Sequence, residues 1–295
     1  MADARRVQRR RCWLSWSSGK DCCYALKVLR EDPSVAVVGL MTSINESADR
    51  VAMHGVRARL LQEQADAVGL PVYQIQLPSP CSNEDYEVAM RGALEAAKEA
   101  GVEVVAFGDI HLADVRAYRE ERMAGTGIDT LFPLWGRDTA ELARAIINAG
   151  IEAILTCVDA TKLPPHFAGR RFDAQLLADL PPGVDPCGEG GEFHTLVVSA
   201  AGLFDRPLDV LDVLDPRLRV RRGNFVFMDV VPADVDPEDA ARDAEKARRE
   251  AAAADAAAEA AAAAEPAACV GSGAGGGGGG GALDRIHARA SGTTK

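Results

Sequence analysis

Five short apolar runs, each separated from the next by a segment with helical spacing, constrain this 295-residue chain more than any other feature. CWLSWS (12–17), VAVVGLM (35–41), VYQIQL (72–77), VEVVAF (102–107) and DTLFPLW (129–135) have the length and β-branched or aromatic content of buried strands. Between them, Cys22 to Arg30 carries apolar residues at 25, 28 and 29, the segment from Val56 to Val68 closes on Gly69, and Asn83 opens a helix that runs to Gly101. Strands joined by crossover helices make a parallel sheet covered on both faces. The pattern therefore predicts an α/β fold: a doubly wound, five-stranded parallel sheet over residues 12–136. Such sheets bind ligands outside the carboxyl ends of their strands.

A second, smaller α+β domain is expected over 137–231. Asp138 and Glu141 approximate a capping box, Gly150 closes that helix, and IEAILTCV (151–158) reads as a buried strand. From Pro232 the chain turns charged and alanine-rich, then passes into seven glycines, Gly275 to Gly281. Residues 232–295 are expected to be a disordered tail, a solvated helix former and a linker outside any core. No apolar run approaches the eighteen residues of a membrane span, and the five arginines before Cys12 have no apolar segment beside them, so they read as a solvated basic arm. Seven cysteines without a C-x-x-C pair fit a reducing compartment, and the cytoplasm is the expected location. A net charge of -11 weighs against a nucleic-acid partner.

The first strand runs straight into SSGKDC (17–22). At the carboxyl end of a parallel strand and the start of a helix, unpaired N–H groups favour an anion. Ser17 and Ser18 offer hydroxyls, Gly19 lets backbone approach, and Lys20 neutralises charge, so the loop suits phosphate. It is not a Walker A loop, which would need a glycine at Leu14 and a hydroxyl at Asp21. An ordinary turn with a serine cap and a solvated lysine explains the same residues. In the second domain, Gly188, Gly190 and Gly191 allow a tight turn that crowds Glu189, Glu192 and His194 together, a set able to handle ammonium or an acceptor group. A zinc site of Cys187, His194 and a carboxylate has the wrong spacing.

SSGKDC resembles the S-G-G-K-D-S loop of the PP-loop ATP pyrophosphatases, with Ser18 for a glycine and Cys22, a weaker donor, for a serine. MHGV (53–56), FGDI (107–110), YREER (118–122), FPLWGRD (132–138) and DPCGEGGEFHT (185–195) narrow the resemblance to the diphthine–ammonia ligase family, over about residues 12–215. That resemblance implies a HUP-like ATP-binding domain. It implies adenylation of a carboxylate with ATP and Mg²⁺, then attack by ammonia to give an amide, AMP and pyrophosphate. The implied acceptor is diphthine in translation elongation factor 2. Carried onto this chain, Ser17, Ser18, Gly19, Lys20, Asp21 and Cys22 hold phosphate, with Asp21 on the metal. Met41, His54, Gly108 and Asp109 complete the nucleotide site, the competing readings being a core residue for Met41 and an exposed polar residue near a helix start for His54. Lys20, Glu189, Glu192 and His194 are the catalytic residues, the last three expected to serve the acceptor or ammonia apart from the phosphate loop. A helix cap is the competing reading of Asp109. Arg119 and Arg122, at i and i+3, share a helix face suited to a phosphate or carboxylate. Two alternatives are a tRNA-modifying PP-loop enzyme and a nucleotide-binding protein without turnover.

Overall fold

The computed structural model describes residues 9–46, 49–51, 54–78, 81–211 and 215–264. The first sheet contains β1 (Arg10–Ser15), β2 (Val35–Asn45), β3 (Arg50–Val51), β4 (Val72–Leu77), β5 (Val104–Ala106) and β6 (Asp129–Leu131). Five of these lie parallel in the order β4-β2-β1-β5-β6. The sheet thus has six strands where the sequence predicts five. β2 runs on past Met41, pairing Thr42 to Asn45 with β4, and its end also takes the two-residue β3 in antiparallel fashion.

The alternation of strand side chains sends two apolar sets to opposite faces. Leu14, Trp16, Leu40, Ile44 and Ala106 pack with α1 (Lys20–Glu31) and α2 (Ala58–Val68). Trp13, Met41, Ile75, Val105 and Phe107 pack with α3 (Asn83–Glu99) and α4 (Ala113–Met123). The cap of α3 is Ser82 rather than Asn83. The Ser82 hydroxyl accepts from the Asp85 N–H, and the Asp85 carboxylate accepts from the Ser82 N–H, a reciprocal pair that satisfies two donors.

A second sheet begins after α5 (Thr139–Asn148), whose cap Asp138 accepts from the Glu141 N–H at 2.8 Å. β7 (Ile151–Asp159) is followed by α6 (Ala174–Asp179), β8 (Phe193–Ala200), β9 (Arg219–Arg222) and β10 (Phe225–Met228). The four strands are antiparallel in the order β8-β7-β10-β9. The sequence reading assigns no strand to β9 or β10, although Gly223-Asn224 between RVRR and FVFM is a two-residue hairpin signal. One apolar cluster runs from the first sheet through α1 into Leu155, Val158, Leu196 and Val197 of the second, so α1 is buried between the sheets.

The alanine-rich segment is not a solvated tail. Residues Pro237–Ala264 form α7, and Ala240, Ala241 and Ala244 are buried on one face of it. Arg248 donates to the carbonyls of Arg217 and Arg219, and Arg217 pairs with Glu238. Alanine lets a helix approach closely, so a segment poor in bulky apolar residues can still dock. Residues 265–295, including the glycine run expected to be a linker, lie outside the described residues.

Candidate active site

β1 ends at Ser15, and Trp16 continues it by donating its N–H to the Met41 carbonyl at 2.7 Å. The loop that follows is tied down from below by Gln64 of α2, which is fully buried. Gln64 accepts from the Trp16 indole at 2.9 Å and donates to the carbonyls of Ser18 at 3.1 Å and Val197 at 2.6 Å. Ser18 sits at φ 69°, the left-handed region that favours glycine, and its buried hydroxyl has no hydrogen-bond partner. A glycine at this position, as in the resembled loop, would be free of both penalties. Gly19 is tightly enclosed: a Cβ there would lie 3.3 Å from the Thr195 carbonyl oxygen and 3.4 Å from the His54 ring.

Lys20 begins α1 and faces the second sheet. Its N–H donates to Thr195 Oγ1 at 3.1 Å, and its Nζ donates to the Cys187 carbonyl and to Asp21 at 3.0 Å. The rings of Phe172 and Phe193 lie 5.2 and 5.1 Å from that ammonium. Burial opposes the charge on this lysine, but Asp21 above all, with Glu189 contributing, keeps its pKa above the ordinary value. Burial lifts the Asp21 carboxyl despite Lys20, and Asp21 Oδ1 is buried without a hydrogen-bond partner. Cys22 donates its thiol to the Gly19 carbonyl at 3.0 Å, and burial pushes its pKa to about 11. It is a neutral thiol within its own helical turn.

The end of β5 meets this turn closely. A Cβ on Gly108 would lie 3.3 Å from the Cys22 nitrogen, so Gly108 admits α1 as well as any ligand. Asp109 is not a helix cap. The cap of α4 is Leu112, and Asp109 pairs with Arg119 at 2.7 Å. Arg122 points elsewhere, to Glu87 at 2.8 Å.

The glycine-rich turn closes over this edge. Asp185 accepts from the N–H groups of Cys187 at 2.8 Å and Glu189 at 3.2 Å. Glu189 then accepts from the N–H groups of Ile110 at 2.8 Å and His111 at 3.2 Å, pinning the turn to the end of β5. Burial raises the Glu189 pKa. His194, on β8, lies against His54 with ring centroids 4.6 Å apart. Glu192 is separated from these two. Its carboxylate is folded beneath Gly190, where a Cβ would stand 2.6 Å from its oxygen.

The result is a cavity of about 280 Å³ at the carboxyl edge of the parallel sheet. Ser17, Lys20, Asp21, Cys22, Met41, His54, Gly108, Asp109, Glu189 and His194 line it, whereas Ser18, Gly19 and Glu192 do not. The SSGKDC loop and the glycine-rich turn therefore share one cavity instead of the separate places the sequence suggests, because Lys20 bonds directly to Thr195 and Cys187. Among the described residues, no group of three or more His, Cys, Asp or Glu side chains is placed to hold a metal. Sequence reasoning missed Gln64, Thr195 and Asp185. The last two are the end residues of the DPCGEGGEFHT motif, and Gln64 has no local signal at all.

The model for the diphthamide synthase N-terminal domain matches residues 10–128, and that for the C-terminal domain matches 138–223. The chain belongs to the diphthamide synthase family. A relative named diphthine–ammonia ligase from Danio rerio is 29% identical over 203 residues, covering 62% of this chain and 79% of its own length. One of the same name from Homo sapiens is 26% identical over 216 residues, covering 66% and 80%. A third, from Schizosaccharomyces pombe, is 26% identical over 214 residues but is covered over only 35% of its length. This membership places the chain among the ligases that form C–N bonds. Among the described residues no helix is long and apolar enough to cross a membrane.

Proposed function

We propose that the chain is an ATP-dependent amide ligase that acts on diphthine in translation elongation factor 2, a cytoplasmic acceptor. An acceptor carboxylate oxygen attacks the α-phosphorus of ATP, and the bond to the β,γ-diphosphate breaks, releasing pyrophosphate. Ammonia then attacks the acyl carbon, a proton is lost from nitrogen, and AMP leaves with the acyl oxygen bond broken. The observation that supports this reading is the shared cavity: phosphate loop, buried lysine, carboxylate and imidazole face one space.

Residues 12–136 supply the nucleotide side and 137–231 the closing side. The first turn of α1 favours phosphate through its amides and dipole. Lys20 exchanges its Cys187 carbonyl for a phosphate oxygen and stabilises charge on departing pyrophosphate. Met41 and His54 flank the nucleotide, and Asp109 is held by Arg119 to orient it. Glu189, with its raised pKa, takes the proton from ammonium, and His194 orients the acyl group. Glu192 supports the turn. Mg²⁺ fits Asp21, because a buried carboxylate oxygen with no partner and a lifted pKa gains from a cation, which would offset charge on the phosphate oxygens.

The test combines the chain with ATP, ammonium and elongation factor 2 carrying diphthine. AMP and pyrophosphate should appear together with the amide on the acceptor, and Lys20→Ala should abolish all three while circular dichroism stays native. ADP and phosphate as products, or an acceptor of unchanged mass, would refute the proposal.

A further inference from the structure

A second cavity, of about 260 Å³, opens between α3 and α4. Tyr86, Met90 and Leu94, spaced i, i+4 and i+8, line it from α3, while Tyr118 and Met123 line it from α4. Tyr86, Met90, Phe107 and Arg119 belong to both cavities, so the two spaces meet along a seam. The volume is close to that of the first cavity and, like it, lies just under the roughly 300–1,000 Å³ of small-molecule sites.

Its charge is distinctive. Among the described residues of its wall are Arg91, Arg119 and Arg122 and one carboxylate, Glu87, in a chain of net charge -11, while Asp109 of the first cavity pairs with Arg119. Arg119 is fixed at the seam by Asp109 and stacks over Phe107 at 4.4 Å. The Arg122–Glu87 pair is different, with both side chains 43% exposed. A pair so exposed contributes at most about 1 kcal/mol, so another carboxylate can displace Glu87 at little cost.

We propose that this groove receives the acceptor's modified side chain, a ring-bearing chain that carries a carboxylate beside a quaternary ammonium. The ring packs among Leu94 and Met123, the quaternary ammonium lies against the Tyr86 and Tyr118 rings, Arg122 exchanges Glu87 for the carboxylate at the mouth, and Arg119 holds that carboxylate at the seam beside the nucleotide. This rests on the ligase reading and assigns its acceptor subsite.

Methionine methyl NMR separates the possibilities, because Met123 lines the second cavity alone. Elongation factor 2 carrying diphthine should shift the Met123 methyl, whereas the same factor with unmodified histidine should not. Leu94→Trp, which fills the groove, and Arg122→Glu should each raise KM for the acceptor about tenfold or more while leaving the Kd for ATP unchanged. Arg122→Lys should recover part of the loss. Amide formation without a Met123 shift, or with unchanged KM in folded variants, overturns the subsite and spares the ligase reading. A Met123 shift with ATP alone gives the groove to the nucleotide and also overturns it. Neither product nor shift in the wild type overturns both.

Discussion

Replacing Asp229 by asparagine should loosen the joint between the two sheets and the loop that carries His54. Asp229 follows β10 and is 8% exposed. It accepts from Arg50 at 2.8 and 2.9 Å and from Arg57 at 3.1 and 2.7 Å, and these two residues bracket the turn bearing His54. Arg50 also donates to the Gly55 carbonyl at 2.7 Å, and a Cβ on Gly55 would sit 2.9 Å from Phe227. Breaking a fully buried pair typically costs 3–5 kcal/mol, but the guanidiniums are 30% and 22% exposed, so about 2–3 kcal/mol is expected. In a chain of this size that lowers Tm by about 5–10 °C. Burial opposes the charge on Asp229, yet the two arginines hold its pKa below the ordinary carboxylate value. A carboxylate with a depressed folded pKa contributes stability that is full above its unfolded value, about 3.9, and is lost as pH falls through the folded one. Thermal scans of wild type and Asp229→Asn should therefore differ most near pH 7, and the gap should begin to close only below about pH 4 and vanish below the folded pKa. KM for ATP should rise as His54 loses its anchor. Equal Tm at pH 7, or a gap that persists unchanged at pH 3, would refute the clamp.

Ser18→Gly should stabilise the chain by about 1 kcal/mol, since it relieves a left-handed side chain and a buried unpaired hydroxyl against a smaller glycine entropy cost; a lower denaturation midpoint would contradict this. Cys22→Ser should keep or raise ATP turnover, as a hydroxyl can make the same bond to the Gly19 carbonyl, and loss of activity would point to thiol chemistry. Truncation after Val231 should lower Tm measurably by removing the Arg248 and Glu238 contacts and the buried alanine face of α7, and an unchanged melting curve would show that the helix does not dock.

Much of the first sheet was legible because its strands are runs of one character, and period-two alternation assigns their faces. β3 was not, being two residues long and defined only by its partner. β9 and β10 escaped because arginine-rich RVRR reads as surface until its hairpin turn is noticed. α7 was misjudged for a related reason: apolar bulk was taken as the requirement for docking, whereas alanines backed by arginine bonds to carbonyls suffice. At the site, motif residues such as Lys20, Glu189 and His194 could be named, but not their common cavity. That depends on pairings such as Lys20 with Thr195, which no spacing encodes, and on Gln64, a lone amide in an ordinary helix.

Those pairings also set a timetable. Lys20 emerges early in synthesis, yet its partners at Cys187 and Thr195 follow 167 and 175 residues later. At the usual 5–20 residues per second the ribosome needs roughly 10–35 s to supply them. Until then the nascent chain carries a lysine, a strained serine and an aspartate with nothing to close over them. On the proposed ligase reading the nucleotide site is completed only when most of the chain has been made, because the residues that close it are encoded far behind the loop they cover.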